Sequence, residues 1–501
     1  MHSLILLLVA TAATAQVGPD YQRPETPVPP QFKGVTWRPA NPAAHLPKGE
    51  WWKVFRDAKL NDLMGRAGAA NQDLKAALAR FEQARTAARV ARGDYLPTLS
   101  LPLSAERQRT SENQPSPIPL NGLRYDGPAY NAMADFGWEI DLWGKIRRAN
   151  EGTRADAEAA ADAVHNVLLG IQAELASNYF QLRALDQEIR LVREAVALRG
   201  EALKIAQARV RAGAGSELEQ AQAEAEVASA EAEISTLQAR RDQLENVLAI
   251  LTGSNAAIFR LPTGSAPPAP PSLPAGLPSD LIERRPDIAQ AERALAAATA
   301  RIGVARAQFF PSLRLLGRGG YQSMELDALL QPNSVMWSYG PSLSVPLFAG
   351  GKNRFNLEKA RAVHDEALAG WRQAFLSAVA DVETSLSAIR HLAVAHEAQQ
   401  RARSSAERAA ALAKTRYEAG TSPYLDVIEA NRTALAMQRA TAQTAGQRLA
   451  ASVALVKALG GGWQATTALP TVEPDPAAQL SPEGEAKRGV FGRLKSLFRR
   501  G

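Results

Sequence analysis

The hydrophobic positions of this chain change period twice, in the same order each time. From Thr98 to Ala105 the odd positions Leu99, Leu101, Leu103 and Ala105 are apolar. From Asn131 to Leu142 the even positions Ala132, Ala134, Phe136, Trp138, Ile140 and Leu142 are apolar against Asn131, Asp135, Glu139 and Asp141. That is the period of a strand with one wet face. Trp337, Tyr339, Leu343, Val345 and Leu347 alternate in the same way with Ser338, Gly340, Ser342, Ser344 and Pro346. Each set reads as two strands joined by a polar loop, with Asn121 to Pro128 and Gln331 to Ser334 in the loops.

After each hairpin the period becomes helical from Ile146 to Ala212 and from Asn353 to Ala419, roughly 100 Å of helix each at 1.5 Å per residue. Leu168, Ile171, Leu175, Tyr179, Leu182, Leu185, Ile189, Val192 and Val196 step by three and four, a coiled-coil-like seam. Gly213 and Gly420 read as left-handed caps. Ser216 and Ser422 restart the helix, Ser216 in a capping box with Glu219, and Ser422 ahead of Pro423 at N1. The return helices run to about Leu251 and Leu459, and shorter helical patterns cover Asn61 to Arg92 and Pro286 to Phe309. A return helix and a short helix together match one long helix, which predicts end-to-end stacking in a bundle of uniform length.

The two halves are copies of each other. Lys145 and Lys352, Gly213 and Gly420, Leu218 and Leu425, and Gly253 and Gly460 all stand 207 residues apart, and "VARGDYLPTL" at Val90 echoes "VARAQFFPSL" at Val304. The expected organisation is an export signal over 1–15, an extended Pro-rich segment over 16–60 and a first repeat over 61–253 with its hairpin at 98–142. A Pro-rich linker follows over 254–280, then a second repeat over 281–463 with its hairpin at 312–348, and a disordered basic tail over 464–501. The export signal rests on the apolar run Leu4 to Ala10 and the Ala13-Thr14-Ala15 cleavage pattern, cut before Gln16.

No window offers the roughly 18 consecutive apolar residues that a spanning helix needs, so any passage through a membrane must use strands closed into a barrel. Four strands per chain are too few to close, which requires oligomerisation; a dimer would give eight strands and a trimer twelve. The fold class expected is a mixed α and β membrane protein, with a long coiled-coil-like helical tube joined to four transmembrane strands per chain.

Composition removes other classes. The chain has no cysteine, hence no disulfide, thiol nucleophile, iron-sulfur cluster or lipid-acceptor thiol. Its net charge of +7 comes mostly from the tail after Lys487, so a nucleic-acid surface is not expected. The six histidines form no metal spacing, "AGGKN" at Lys352 is not a P-loop, and no G-x-S-x-G occurs. No enzyme activity, cofactor or metal is expected.

Several long motifs then point to a family. "VGPDYQRPETPVPPQF" (Val17 to Phe32), "WWKVFRDAKLNDLMGRA" (Trp51 to Ala67), "LIERRPDIAQAERAL" (Leu281 to Leu295), "ARAQFFPSL" (Ala305 to Leu313) and "RYEAGTSPYLDVIEANRT" (Arg416 to Thr433) resemble the TolC-type outer-membrane efflux proteins, most closely the NodT group that serves RND pumps. The resemblance implies a homotrimer with a twelve-stranded barrel in outer-membrane lipid and a hollow helical conduit in the periplasm of a Gram-negative bacterium. It also implies docking to a periplasmic adaptor (membrane fusion) protein and an RND-type inner-membrane transporter. The NodT group carries a lipidated cysteine before "VGPDY", where this chain has Ala15-Gln16-Val17.

The function expected is the passive exit duct of a tripartite efflux pump for small toxic compounds. The alternatives are a periplasmic adaptor or scaffold with helical hairpins, and the outlet of a type I protein secretion system. By family resemblance the periplasmic gate falls on Asp426 and Glu429, with Tyr417 and the first-copy Glu219. Adaptor contacts fall on the helix tips Gly213, Gly215, Ser216, Gly420, Thr421 and Ser422. Trp138, Trp143, Trp337 and Tyr339 are candidate membrane-interface aromatics. Ordinary helix capping and packing inside a sheet are the plain readings of these same residues.

Overall fold

The computed structural model describes residues 16–25, 50–109, 111, 126–271 and 285–461. The expected export signal, parts of the Pro-rich segments and the basic tail lie outside the described residues. In chain order the elements are α1 (Ala58–Ala70), α2 (Gln72–Gly93), β1 (Thr98–Ser100), β2 (Leu103–Arg109), β3 (Asp126–Ile140), α3 (Lys145–Arg211), α4 (Glu217–Leu251), α5 (Pro286–Ala307), β4 (Ser312–Ser323), β5 (Val335–Ser344), α6 (Lys352–Glu418) and α7 (Tyr424–Ala458).

The long helices α3 and α6 are both 67 residues and the return helices α4 and α7 both 35. The helical pattern from Asn61 to Arg92 is two helices, not one. Asn71 leaves the helical region at ψ 130° and caps α2, its Oδ1 accepting from Leu74 N at 3.0 Å. The same side chain donates from Nδ2 to the carbonyl of Leu251, the last residue of α4, at 2.9 Å. The second copy repeats this joint. Arg285, at the N-cap of α5, donates to the carbonyl of Ala458, the last residue of α7, at 3.1 Å. Each return helix therefore abuts a short helix, and orphan carbonyls at its end are satisfied by the next helix's cap.

The wall that results has four strips: α2 stacked on α4, then α3, then α5 stacked on α7, then α6. α3 lies inside this wall and buries the seam residues Ile171, Leu175, Tyr179, Leu182, Leu185, Ile189 and Val192. α6 has the same length but buries only Trp371, Phe375, Ala378, Val382, Ser385 and Ala406, because one of its sides has no neighbour among the described residues. The largest core sits where Trp51, Trp52 and Phe55 of a short 3-10 turn meet Leu175, Tyr179, Phe180 and Leu182. Asp57 caps α1 and accepts from the Tyr179 hydroxyl at 2.7 Å.

A segment over 16–25 crosses the seam between α3 and α5. Val17 N donates to Trp143 O at 3.0 Å, and Gly18, at φ 111°, passes so close to Gly303 that a Cβ would lie 2.5 Å from its Cα. Asp20 pairs with buried Arg148 at 2.5 Å, Tyr21 donates to Glu292 at 3.2 Å, and Arg23 pairs with Glu292 at 2.9 Å.

The strands form one antiparallel sheet in which β1 and β2 both pair with β3, followed by β4 and β5. The first strand, expected to run unbroken from Thr98 to Ala105, is interrupted at Leu101 and Pro102, since proline has no N–H to donate, and it continues to Arg109. β3 begins at Asp126, inside the segment expected as loop. Pro128 is tolerated because only β2 pairs with it there; β4 joins from Tyr130.

Register places one set of side chains on each face. Leu99, Phe136, Gly317 and Tyr339 align across the sheet, as do Ala134, Gly319 and Trp337, and Ile140, Leu313 and Leu343. Ser100, Asp135, Arg318 and Ser338 align on the other face, as do Glu139, Arg314 and Ser342. Arg318 pairs with Asp135 at 2.8 Å and Arg314 with Glu139 at 3.2 Å. The apolar face is open to its surroundings: Leu99 is 74%, Trp337 70% and Tyr339 80% exposed.

Candidate functional site

The ends of the two helical hairpins are built alike. Gly213 (φ 71°) and Gly420 (φ 70°) take the left-handed conformation that a side chain disfavours, and their N–H groups donate to Val210 O and Tyr417 O at 3.0 and 2.9 Å. Ala214 N donates to Arg209 O and Thr421 N to Arg416 O, both at 2.9 Å. Gly215 is packed so closely on the preceding turn that a Cβ would come 2.8 Å from Val210 N.

Two local expectations are corrected. Ser216 is the N-cap of α4, but its Oγ accepts from Leu218 N at 3.1 Å, the second helical N–H, and not from Glu219 N as a capping box would have it. Pro423 is the N-cap of α7, and the helix opens at Tyr424. The Ser422 hydroxyl is buried without a partner among the described residues.

Above the tips, charged side chains join the hairpins. Arg209 on α3 donates to the Tyr417 hydroxyl on α6 at 2.6 Å and lies 5.7 Å from its ring centroid. The Tyr417 ring is 5.3 Å from that of Tyr424, whose hydroxyl pKa is pushed up, first by burial and then by Tyr417, Glu226 and Glu219. Glu226 on α4 is buried. It pairs with Arg199 on α3 at 3.2 Å and accepts from Arg432 on α7 at 2.9 Å, while Arg432 also holds Glu429 at 3.0 Å.

One heptad further along, Glu233 on α4 and buried Glu188 on α3 share Arg439 of α7, and Gln443 donates to Glu188 at 3.0 Å. Near the linker, Asp186 accepts from Arg183 at 3.0 Å, Arg241 at 2.8 Å and Gly264 N at 3.0 Å, tying the chain after α4 to the wall.

Of the four residues expected at the gate, Tyr417 and Glu219 gather around Tyr424, and Glu429 ends the chain of pairs that runs through Arg432. Asp426 is exposed, and its carboxylate has no hydrogen-bond or ionic partner among the described residues. Glu219 and Asp426 occupy equivalent places in the two copies. Sequence reasoning missed Arg199, Arg209, Glu226 and Arg432. For Glu226 and Arg432 a signal was available in the seven-residue steps Glu226 to Glu233 and Arg432 to Arg439.

The aromatic candidates separate. Trp337 and Tyr339 stack at 5.6 Å on the apolar face near the start of β5. Trp138 lies on the same face near the end of β3 and donates to Tyr95 O at 3.0 Å. Trp143 belongs elsewhere: it is half-buried, donates to Pro311 O at 2.7 Å, and packs on Phe310 at 4.9 Å, a joint between the repeats.

Among the described residues no helix is long and apolar enough to cross a membrane, and no acidic or histidine cluster is arranged to hold a metal ion. The sequence profile of a family described as "outer membrane efflux protein" matches residues 63–254 and 277–461. The chain belongs to that family.

Over 461 residues it is 31% identical to outer membrane protein OprJ of Pseudomonas aeruginosa, covering 91% of this chain and 95% of OprJ. It is 29% identical to the toluene efflux pump outer membrane protein TtgF of Pseudomonas putida, over 94% of this chain and 98% of TtgF. The solved outer membrane channel CmeC of Campylobacter jejuni superposes with a TM-score of 0.82 at 26% identity, covering 91% of this chain and 97% of CmeC. This efflux protein therefore resides in the outer membrane and has the TolC-type channel fold. Its function is that of an efflux duct.

Proposed function

We propose that three copies of this chain close into a twelve-stranded barrel continued by a twelve-strip helical conduit. Through it small toxic compounds pass without catalysis from an RND-type transporter and its periplasmic adaptor to the exterior. The observation that carries this reading is a sheet with one apolar face, one polar face and, among the described residues, two unpaired edges, β1/β2 and β5. An unpaired edge in hydrocarbon is forbidden, so neighbouring copies must pair with both. The apolar face runs from Tyr130 to Ile140 on β3, about 33 Å along the strand. Tilted by about 40°, that is about 25 Å tall, the height of a barrel's lipid-facing band. Trp138 stands near its periplasmic end, and Trp337 and Tyr339, level with Ala134 and Phe136, stand near its middle.

The same closure covers the free side of α6 with the α2 and α4 strip of the next copy. The tips around Gly213, Gly215, Ser216, Gly420, Thr421 and Ser422 face away from the barrel and meet the adaptor. Asp426, Glu429, Glu219 and Tyr417 lie beside them, where three copies of each converge to narrow the duct. The name of TtgF, a toluene efflux component, favours small compounds as cargo over polypeptides. Deleting the gene should raise intracellular accumulation of dyes, antibiotics or metal salts, and the adaptor should co-purify with the protein. Unchanged accumulation of all of these would overturn the reading.

A further inference from the structure

Between the two hairpins, α3, α6 and α7 diverge to leave a cavity of about 300 Å³, within the range of small-molecule sites. Its floor is apolar: Ala195 of α3 meets Val427, Ile428, Ala434 and Leu435 of α7, and the Tyr424 ring closes one end. Three carboxylates stand on its rim. Glu226 is balanced by Arg199 and Arg432, and across the cavity Glu407 is balanced by Arg403 at 2.8 Å and accepts from Gln438 at 2.7 Å, bonds that hold its carboxyl below the usual range. Glu194 has no hydrogen-bond or ionic side-chain partner among the described residues, so its charge is unbalanced. An apolar hollow with one unbalanced carboxylate on its lip suits one chemistry, an apolar body carrying a single positive charge. An anion of the same shape would be repelled by Glu194.

We propose that this cavity is a binding site for small amphiphilic cations, which wedge between the first and second hairpins and hinder their relative movement. The duct reading does not depend on this site, and its failure leaves that reading intact.

Tetraphenylphosphonium and tetraphenylborate test it, because they share a shape and differ in sign. Binding of each to the detergent-extracted full-length protein is measured by calorimetry, with single-channel conductance recorded in parallel. The cation should bind and lower conductance, the borate should bind at least about tenfold more weakly, and Glu194→Gln should cost the cation about tenfold, the size of one charge contact near a protein surface. Glu194 is exposed, so that substitution leaves folding untouched. Ala195→Phe, which fills the floor, should abolish binding. Equal binding of the two ions, or cation binding unchanged in both variants, would overturn the site.

Discussion

Asp162 shows what a single half-buried charge does in this wall. It lies on α3 facing Arg293, Glu158 and Glu292, and its pKa is raised to about 6, first by burial and then by the two carboxylates, with Arg293 opposing. A folded-state pKa above the unfolded value of about 3.9 means that the folded protein holds the proton more tightly. The contribution is complete below the unfolded value and is lost as pH rises through about 6. Thermal stability should therefore rise on acidification from about pH 7.5 to about pH 5.5, and Asp162→Asn should raise Tm at the higher pH and flatten that slope. A slope unchanged in the variant would assign the effect to other groups. Nothing in the sequence marked Asp162, since its burial depends on α5, which follows it by more than a hundred residues. Glycines were easier: Gly213 and Gly420 end long helical patterns, and the structure places both at positive φ.

At the scale of elements, periodicity disclosed the long helices almost to the residue, because each is a long uninterrupted pattern with a glycine after it. It missed the break at Asn71 and the interruption at Pro102. One is imposed by the end of a helix distant in sequence, and the other by a proline in an otherwise regular alternation. The ion pairs linking hairpins were legible only as heptad-spaced charges with no indication of partner. Glu226→Ala should strip Arg199 and Arg432 of their shared carboxylate, cost about 1–3 kcal/mol, and speed amide exchange along α4 and α7 near the tips. Unaltered exchange there would show that the hairpins are held by apolar packing alone. The double substitution Asp426→Ala with Glu429→Ala should raise single-channel conductance in a bilayer, as the carboxylates of the proposed gate are removed. Unchanged conductance would reject those residues as the gate.

For the whole molecule, sequence exposed the duplication and the one-sided strands, and these sufficed to demand partner copies. It could not say which aromatic residues lie on the open apolar face, because alternation alone does not distinguish the sheet face of Trp138 from the inter-repeat joint of Trp143. The face assignment has a direct check. Leu315, aligned between Trp138 and Pro341 on the apolar face, should tolerate Ile but not Arg. Leu315→Arg should destabilise the inserted barrel by about 2–4 kcal/mol, read as loss of heat-resistant oligomer from the membrane fraction. Full retention would place that face in water.

The two helix-to-helix joints, Asn71 on Leu251 and Arg285 on Ala458, occupy corresponding places in alternate strips, with unbroken helices between them. Torque applied at the periplasmic end can then be absorbed at these butted ends. Only α3 and α6 would have to flex as continuous rods, and the half anchored in lipid could stay at rest while the far half turns.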